Sequence, residues 1–449
     1  MKKQNIAIVG AGLVGSLWAV YLAKKGHNVH VFDRRNDIRK VKIIQGKSIN
    51  LALSDRGWKG LTGAGIENEI HKVALPMSGR LMHSVSGELT YQPYGKENQA
   101  IYSVSRGLLN QTLLKCADEF ENVTLYFEHQ CKDLDIKTNT LKFERADTGE
   151  KVEMSFDRIF GTDGAFSAVR ARMQKMDRFD YSQEYLSHGY KELEIPPTAD
   201  GSYQLDPNAL HIWPRGEFMM IALPNPDKSF TCTLFLAFEG KHSFENLKTE
   251  EQVTEFFHTH FADAAALMPE MLQDFFTNPT SSLVMTKCNP WNVGDKICLM
   301  GDAAHAIVPF YGQGMNCGFE DCSVLNELIE NIGDDWEKIF SEFTRLRKPA
   351  GDAILELALR NYIEMRDKTA DKQFLLQKKI EAKFSAKHPT LWTPLYSQVT
   401  FSHIPYDQAL KNGIRQDEIM KKVMDRPDID TVWESEEIEQ HILKLVQEN

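Results

Sequence analysis

Three stretches of this chain carry residue types suited to phosphate and polyol chemistry. The first is Gly10-Ala11-Gly12-Leu13-Val14-Gly15, with Asp33 standing 18 residues after Gly15. In this G-x-G-x-x-G pattern Gly10 permits a tight turn, Gly12 lets the main chain approach a pyrophosphate, and Gly15 lets a helix pack closely on a strand. The helix N-terminus then faces the phosphates, and Asp33 is placed to accept hydrogen bonds from a ribose. The pattern predicts dinucleotide binding and leaves NAD and FAD both open. The second stretch is Gly161-Thr162-Asp163-Gly164-Ala165, and the third is Gly301-Asp302-Ala303-Ala304-His305. Each follows a predicted strand, where an aspartate can hydrogen-bond a polyol. FAD has a ribitol, whereas NAD has only its riboses, so the two later stretches favour the longer, extended molecule.

Other chemistries find little support. Asp302 and His305 stand at i, i+3, but no third ligand accompanies them, and no metal site is expected. The seven cysteines form no C-x-x-C pair and leave an odd count, against both a disulfide framework and a zinc site. A net charge of −11, with the charges interspersed, gives no reason to expect a nucleic-acid or anionic-membrane partner. The opening MKK and apolar run resemble a signal peptide, but the fixed glycines and the strand that follows argue for a folded element. No run of about 20 apolar residues predicts a transmembrane helix.

These groups need positioning elements. Residues 5–10 read as a buried strand, 13–25 as a helix stopped by Gly26, and 28–33 as a second strand, together a βαβ unit. Residues 105–120 have helical spacing with Ser105 as N-cap. Several extended segments between 188 and 238 read as a separate, mostly antiparallel sheet. From about residue 334 the pattern is helical. The predicted class is α/β (α+β): a discontinuous Rossmann-like FAD-binding domain with an inserted antiparallel substrate domain and a C-terminal helical region. Its boundaries are 1–180 and 291–333 for the FAD-binding domain, with substrate-contacting segments near 75–105. The β-rich domain spans 181–290, and the helices of 334–449 cover the active site.

Taken in order, the G-x-G-x-x-G, the GTDG segment and the GDAAH segment resemble the FAD-dependent aromatic hydroxylases, which share the fold of p-hydroxybenzoate hydroxylase. The motifs span residues 10 to 316. The resemblance implies that Asp302 holds the ribitol. It further implies that Gly312-Gln313-Gly314-Met315-Asn316 starts a helix aimed at the flavin's pyrimidine side, where reduced flavin is anionic. Cofactor contacts implied are Gly10, Gly12, Val14, Gly15, Asp33, Arg34, Arg35, Ala52, Arg106, Cys131, Asp163, Ala168, Asp302, Gly314, Met315 and Asn316, with Cys131 contributing main chain only. NADPH is implied as co-substrate, bound without a Rossmann domain of its own. O2 would be activated as a flavin C4a-hydroperoxide, so no catalytic side chain is expected.

Within these hydroxylases, segments 46–54, 92–95, 210–214, 308–320, 361–365 and 399–402 resemble the members that hydroxylate L-kynurenine. A zwitterionic amino acid with an aniline ring needs a cation and donors for its carboxylate and an apolar slot for its ring. By this resemblance Arg80 pairs with the carboxylate, Tyr94, Asn361 and Tyr396 complete its hydrogen bonds, and Glu364 meets the amine. Met219, Leu223, Thr233, Phe235, Pro309, Phe310 and Met365 line the ring slot. Tyr311 departs from relatives that carry Phe or His there, which puts the polarity of the pocket in question. Eukaryotic relatives carry a C-terminal membrane anchor. The tail from Asp430 reads instead as an acidic amphipathic helix, so a cytoplasmic protein without an anchor is expected, as a possible homodimer. The competing readings are a hydroxylase of another aromatic acid, an NAD-dependent dehydrogenase, a flavin halogenase, whose W-x-W-x-I-P segment is missing, and a non-enzymatic nucleotide sensor.

Overall fold

The computed structural model describes residues 2–40, 49–94, 99–364 and 372–448. Its organising element is a six-stranded sheet in the order Asn292–Val293, Ile297–Leu299, Arg158–Gly161, Asn5–Val9, Asn28–Phe32, Val123–Tyr126. All of its pairings are parallel except the short Asn292–Val293 edge. Parallel strands covered on both faces must be apolar throughout, and Ile6, Ala7, Ile8 and Val9 are all buried. The strands come from both ends of the first 300 residues, so the domain is discontinuous. Its helices include Leu13–Lys24 and Gly314–Ile332.

A seven-stranded sheet forms the second layer, in the order Ser281–Asn289, Asp180–Ile195, Phe230–Ala237, Met219–Pro224, Ala209–Pro214, Gly79–His83, Leu89–Pro93. It is antiparallel except where Ala209–Pro214 runs parallel to Gly79–His83. The sheet thus extends beyond 181–290, because two strands from the 75–105 region complete its edge. Strand alternation divides its faces. Cys232, Leu234 and Leu236 pack under the helices Glu250–His260 and Met271–Thr277, while Met219 and Phe235 face Phe310 and the C-terminal helices.

The C-terminal region is helical, with long helices at Trp336–Ile363 and Tyr406–Met424. In the last helix, Glu436–Glu448, the i, i+4, i+7 residues Ile438, Ile442 and Leu445 join a core with Ile380, Phe384 and Val423. Among the described residues no helix is long and apolar enough to cross a membrane. One local expectation changes. Ser105 occupies the N-cap of Arg106–Asp118, but its side chain makes no capping bond. Ser167 does cap its helix, accepting from the Arg170 N–H at 2.9 Å.

Candidate active site

Four parallel strands end on one edge of the six-stranded sheet, and each delivers a predicted cofactor residue just past its carboxyl end: Gly10, Asp33, Asp163 and Asp302. This edge is where open α/β sheets bind ligands. Gly10 has φ +107°, and an added Cβ would lie 2.5 Å from the Thr162 carbonyl oxygen. A Cβ on Gly15 would lie 2.0 Å from the Gly10 oxygen, so both glycines serve packing. Gly12 differs: a Cβ there would meet nothing within 4 Å. The same holds for Gly314 at the start of the Gly314–Ile332 helix.

The aspartates divide in the same way. Asp33 is buried and accepts from the Ala11 N–H at 3.0 Å and from Arg35 Nε and Nη2, each at 3.0 Å. Arg34 and Arg106 are exposed. Asp163 accepts from the Ala168 N–H at 2.7 Å through one oxygen, while its Oδ1 is buried with no partner among the described residues. Burial raises this carboxyl above its ordinary range. Asp302 is exposed at the start of its short helix. Burial pushes the Cys131 thiol up to about 12, which keeps it unreactive. A main chain open at Gly12 and Gly314, with a partnerless carboxylate oxygen between them, fits an extended polyol-bearing dinucleotide.

Val14 and Asn316 hold the two glycine segments together. The Val14 side chain packs where a Cβ on Gly301 or Gly318 would stand, at 2.9 and 2.5 Å. Asn316 accepts from the Ser54 N–H at 2.9 Å and donates to the carbonyls of Ala52 and Gly312, each at 2.8 Å. Met315 is buried beside it.

Arg80 projects from Gly79–His83 into an aromatic cage. Its Cζ lies 4.5 Å from the Tyr396 ring centre and 5.3 Å from that of Tyr94. The Tyr94 and Tyr396 rings stack at 5.3 Å, and Tyr311 stacks on the other side of Tyr396 at 5.7 Å. Arg80 Nε and the Tyr94 hydroxyl are buried without a hydrogen-bond partner among the described residues. Burial pushes the Tyr94 and Tyr311 hydroxyls well above their ordinary range, so both remain protonated donors. A guanidinium with an unpaired Nε beside hydroxyl donors is a carboxylate receptor. Asn361 is buried and donates to the Phe310 carbonyl at 2.6 Å. Glu364 is partly buried at the end of the same helix. Met219, Leu223, Thr233, Phe235 and Phe310 are buried, Pro309 partly so, and Phe235 lies 5.0 Å from Phe310. Met365 falls outside the described residues.

Residues 3–358 match the FAD binding domain family. The Flavobacterium johnsoniae kynurenine 3-monooxygenase is 54% identical over 99% of both chains. The Myxococcus xanthus enzyme of that name is 47% identical over 94% of this chain and 91% of its own, and the Sus scrofa enzyme 44% over 91% and 86%. This chain belongs to the kynurenine 3-monooxygenase family. It is an FAD-dependent aromatic monooxygenase. Solved structures agree on the fold: 2-methyl-3-hydroxypyridine-5-carboxylic acid oxygenase superposes with a TM-score of 0.67 at 18% identity, covering 84% of this chain and 96% of its own. Pseudomonas aeruginosa PqsL, solved with 2-aminobenzoylacetate, gives 0.65 at 17%, covering 82% and 97%.

In this family member the GDAAH histidine pairs with a residue other than Asp302. His305 Nε2 lies 2.7 Å from Asp321, whose other oxygen accepts from Arg347 Nε at 2.8 Å. Burial raises the Asp321 carboxyl, but the charges of His305 and Arg347 outweigh it and hold Asp321 at about 2. His305, Cys317 and Asp321 bring ligand atoms within 4.8 Å of one another. Arg347 also reaches the Cys317 sulfur at 3.2 Å, so two members of this cluster already contact a buried guanidinium.

Sequence reasoning missed two buried ionisable groups. Arg56, fully buried, donates to the Val399 carbonyl at 2.8 Å, the Gln398 carbonyl at 3.2 Å and the Ile404 carbonyl. It pairs with Glu320 at 2.5 Å and sits 4.0 Å from the Tyr406 ring centre. Glu320 also binds Arg347 at 2.5 Å, so one chain of charges ties the Gly314–Ile332 helix to the segment after Tyr396. The second is Glu192, buried beside Thr233. Neither has a local signal. A surface cleft of about 470 Å³, lined by residues including Trp58, Lys59, Glu327 and His403, contains none of the site residues.

Proposed function

We propose that this enzyme hydroxylates L-kynurenine to 3-hydroxykynurenine, consuming NADPH and O2. The observation that carries the reading is the Arg80 cage: a guanidinium Nε and a Tyr94 hydroxyl buried without a hydrogen-bond partner among the described residues, beside a slot walled by Met219, Leu223, Phe235 and Phe310. Such a pairing takes an amino acid with an aromatic side chain. FAD, when bound, supplies reduction by NADPH and oxygen activation. Gly12, in the turn that Gly10 and Gly15 pack into shape, would face its pyrophosphate, Asp33 would hold its ribose, Asp163 and Asp302 its ribitol, and Gly314 to Asn316 its pyrimidine edge. The protein's own part is positioning: Arg80, Tyr94 and Tyr396 fix the carboxylate, Glu364 receives the amine, and the apolar slot presents the ring carbon ortho to the aniline nitrogen. That carbon is the electron-rich one, since the nitrogen lone pair donates into the ring. The C-terminal helices carrying Asn361 and Tyr396 close the slot against water.

The same reading assigns the domains as 1–180 with 291–333, 181–290 and 334–449, and places the protein in the cytoplasm, where its free cysteines would stay reduced. The test is NADPH oxidation by the yellow protein with and without L-kynurenine, with chromatography of the product. Stimulated oxidation yielding 3-hydroxykynurenine is expected. Bound flavin without stimulation would refute the substrate and leave the hydroxylase class standing.

A further inference from the structure

One face of the seven-stranded sheet walls the ring slot, and a carboxyl is buried in it. Thr233 shares this face with Phe235, two residues along, and with Ile221, its partner across the strand pair. Phe235 and Ile221 pack in the cluster that contains Phe310, Tyr311 and Tyr362. Beside Thr233, directly across the neighbouring strand and on the same face, lies Glu192. Thr233 Oγ1 is 3.4 and 3.3 Å from the two Glu192 oxygens, and both residues are buried.

The surroundings of Glu192 are otherwise uncharged on this face, apart from Glu194 one step along the strand opposite Thr231. Lys191 lies on the other face, with its ammonium 2.8 Å from the carbonyls of Phe275 and from Asn278. Cys232 also faces away. Asn278 donates to the Glu192 main-chain carbonyl at 2.9 Å, leaving the carboxyl untouched. No cation pairs with Glu192 among the described residues. A buried carboxyl with no cation keeps its proton. Burial raises Glu192 to about 8, against the smaller opposing pull of the Thr233 hydroxyl.

A protonated carboxyl must donate, and Thr233 Oγ1 is the acceptor in reach. The Thr233 hydroxyl proton then has to point elsewhere, and the slot is on that side. We propose that Glu192 and Thr233 form a specificity pair in which the neutral acid turns the Thr233 O–H into the slot, as a donor for the ketone oxygen of an aryl-ketone amino acid. Ionised Glu192 can only accept. It draws the Thr233 proton back and leaves lone pairs facing the ketone. Glu192 is the positioning residue and Thr233 the contacting one. The assignment rests on the kynurenine reading above and names the substrate atom that reading leaves unrecognised.

The experiment is calorimetric titration of the FAD-loaded protein, without NADPH, between pH 6.5 and 9. The probes are L-kynurenine and its analogue with a methylene in place of the ketone. Thr233→Val is expected to weaken L-kynurenine roughly ten-fold, the worth of one hydrogen bond, and to leave the methylene analogue unaffected. Thr233→Ser should restore the loss. The affinity of the unaltered protein should fall above pH 8 by more than that of Glu192→Gln, whose amide stays a donor at every pH. The substrate's own amine titrates equally against both. An unchanged affinity in Thr233→Val, an equal loss for both ligands, or identical pH curves for the unaltered and Glu192→Gln proteins would overturn the pair. Failure of the unaltered protein to bind L-kynurenine at all would instead overturn the substrate reading.

Discussion

Gly12 and Gly15, two and five residues after Gly10, should respond oppositely to one methyl group. Gly12 has φ −76°, a conformation open to any residue, and its added Cβ meets no atom within 4 Å. In the flavin-free protein Gly12→Ala should therefore be neutral, or stabilising by about 0.4–1 kcal/mol through the unfolded chain. On the proposed cofactor assignment, the same methyl lies where the main chain would approach the pyrophosphate in the holoprotein. Losing one charge-assisted hydrogen bond costs about 1.5–3 kcal/mol, so FAD should bind roughly 10- to 150-fold more weakly. Gly15→Ala places a Cβ 2.0 Å from the Gly10 oxygen and 2.5 Å from Thr162 Oγ1. Main chain must move there, at a cost of about 1–3 kcal/mol or more whether or not flavin is bound. The assay is thermal unfolding of the two flavin-free variants, followed by fluorescence titration with FAD. Unaltered FAD affinity in Gly12→Ala, or a flavin-free Gly12→Ala as destabilised as Gly15→Ala, would refute the division into ligand and packing roles.

Arg80→Met removes the guanidinium that faces Tyr94 and Tyr396, so L-kynurenine binding should weaken by at least about 2 kcal/mol, or roughly 30-fold, with FAD content retained; a loss below three-fold would place the carboxylate elsewhere. Arg56→Met removes the Arg56 donor from the Val399 and Ile404 carbonyls and takes one cation from buried Glu320, and should cost about 3 kcal/mol or more in urea unfolding, with more hydrogen peroxide released per NADPH consumed; unchanged coupling would detach this tether from closure of the slot. Glu192 supplies a prediction in pH. Its carboxyl is raised from 4.5 to about 8 in the folded protein, so the unfolded chain releases its proton first and stability falls as pH rises between those values. Glu192→Gln should therefore melt higher than the unaltered protein at pH 8, with the difference vanishing below about pH 4.5. A constant difference across that range would mean that Glu192 is ionised when buried.

The cofactor half of the site was largely legible because its signals are local. A glycine at a fixed offset from a strand end, or an aspartate opening the next helix, carries its mechanism within about ten residues. The substrate half was not. Arg80, Tyr94, Asn361 and Tyr396 lie far apart along the chain, and nothing in the spacing of an isolated arginine distinguishes a carboxylate receptor from a solvated side chain. Resemblance to a family named those residues; the fold brought Arg80, Tyr94 and Tyr396 within about 5 Å of one another and turned Asn361 to the Phe310 carbonyl. Ser105 shows the limit on a smaller scale, since the right residue stands at the right position without making the cap bond.

Glycine pattern, strand periodicity and charge balance were enough to establish a parallel nucleotide sheet, an inserted antiparallel sheet and an FAD-sized ligand. Those properties depend on neighbours along the chain. Whether a charge is buried depends on neighbours across it. Glu192 sits in a strand whose alternation marks that face as polar, and Arg56 follows an aspartate at the start of a helix; each reads as a solvated side chain. Both became buried only when a second sheet and the C-terminal helices were laid over them, and desolvation, which no linear spacing encodes, then made one a proton-holding acid and the other a tether.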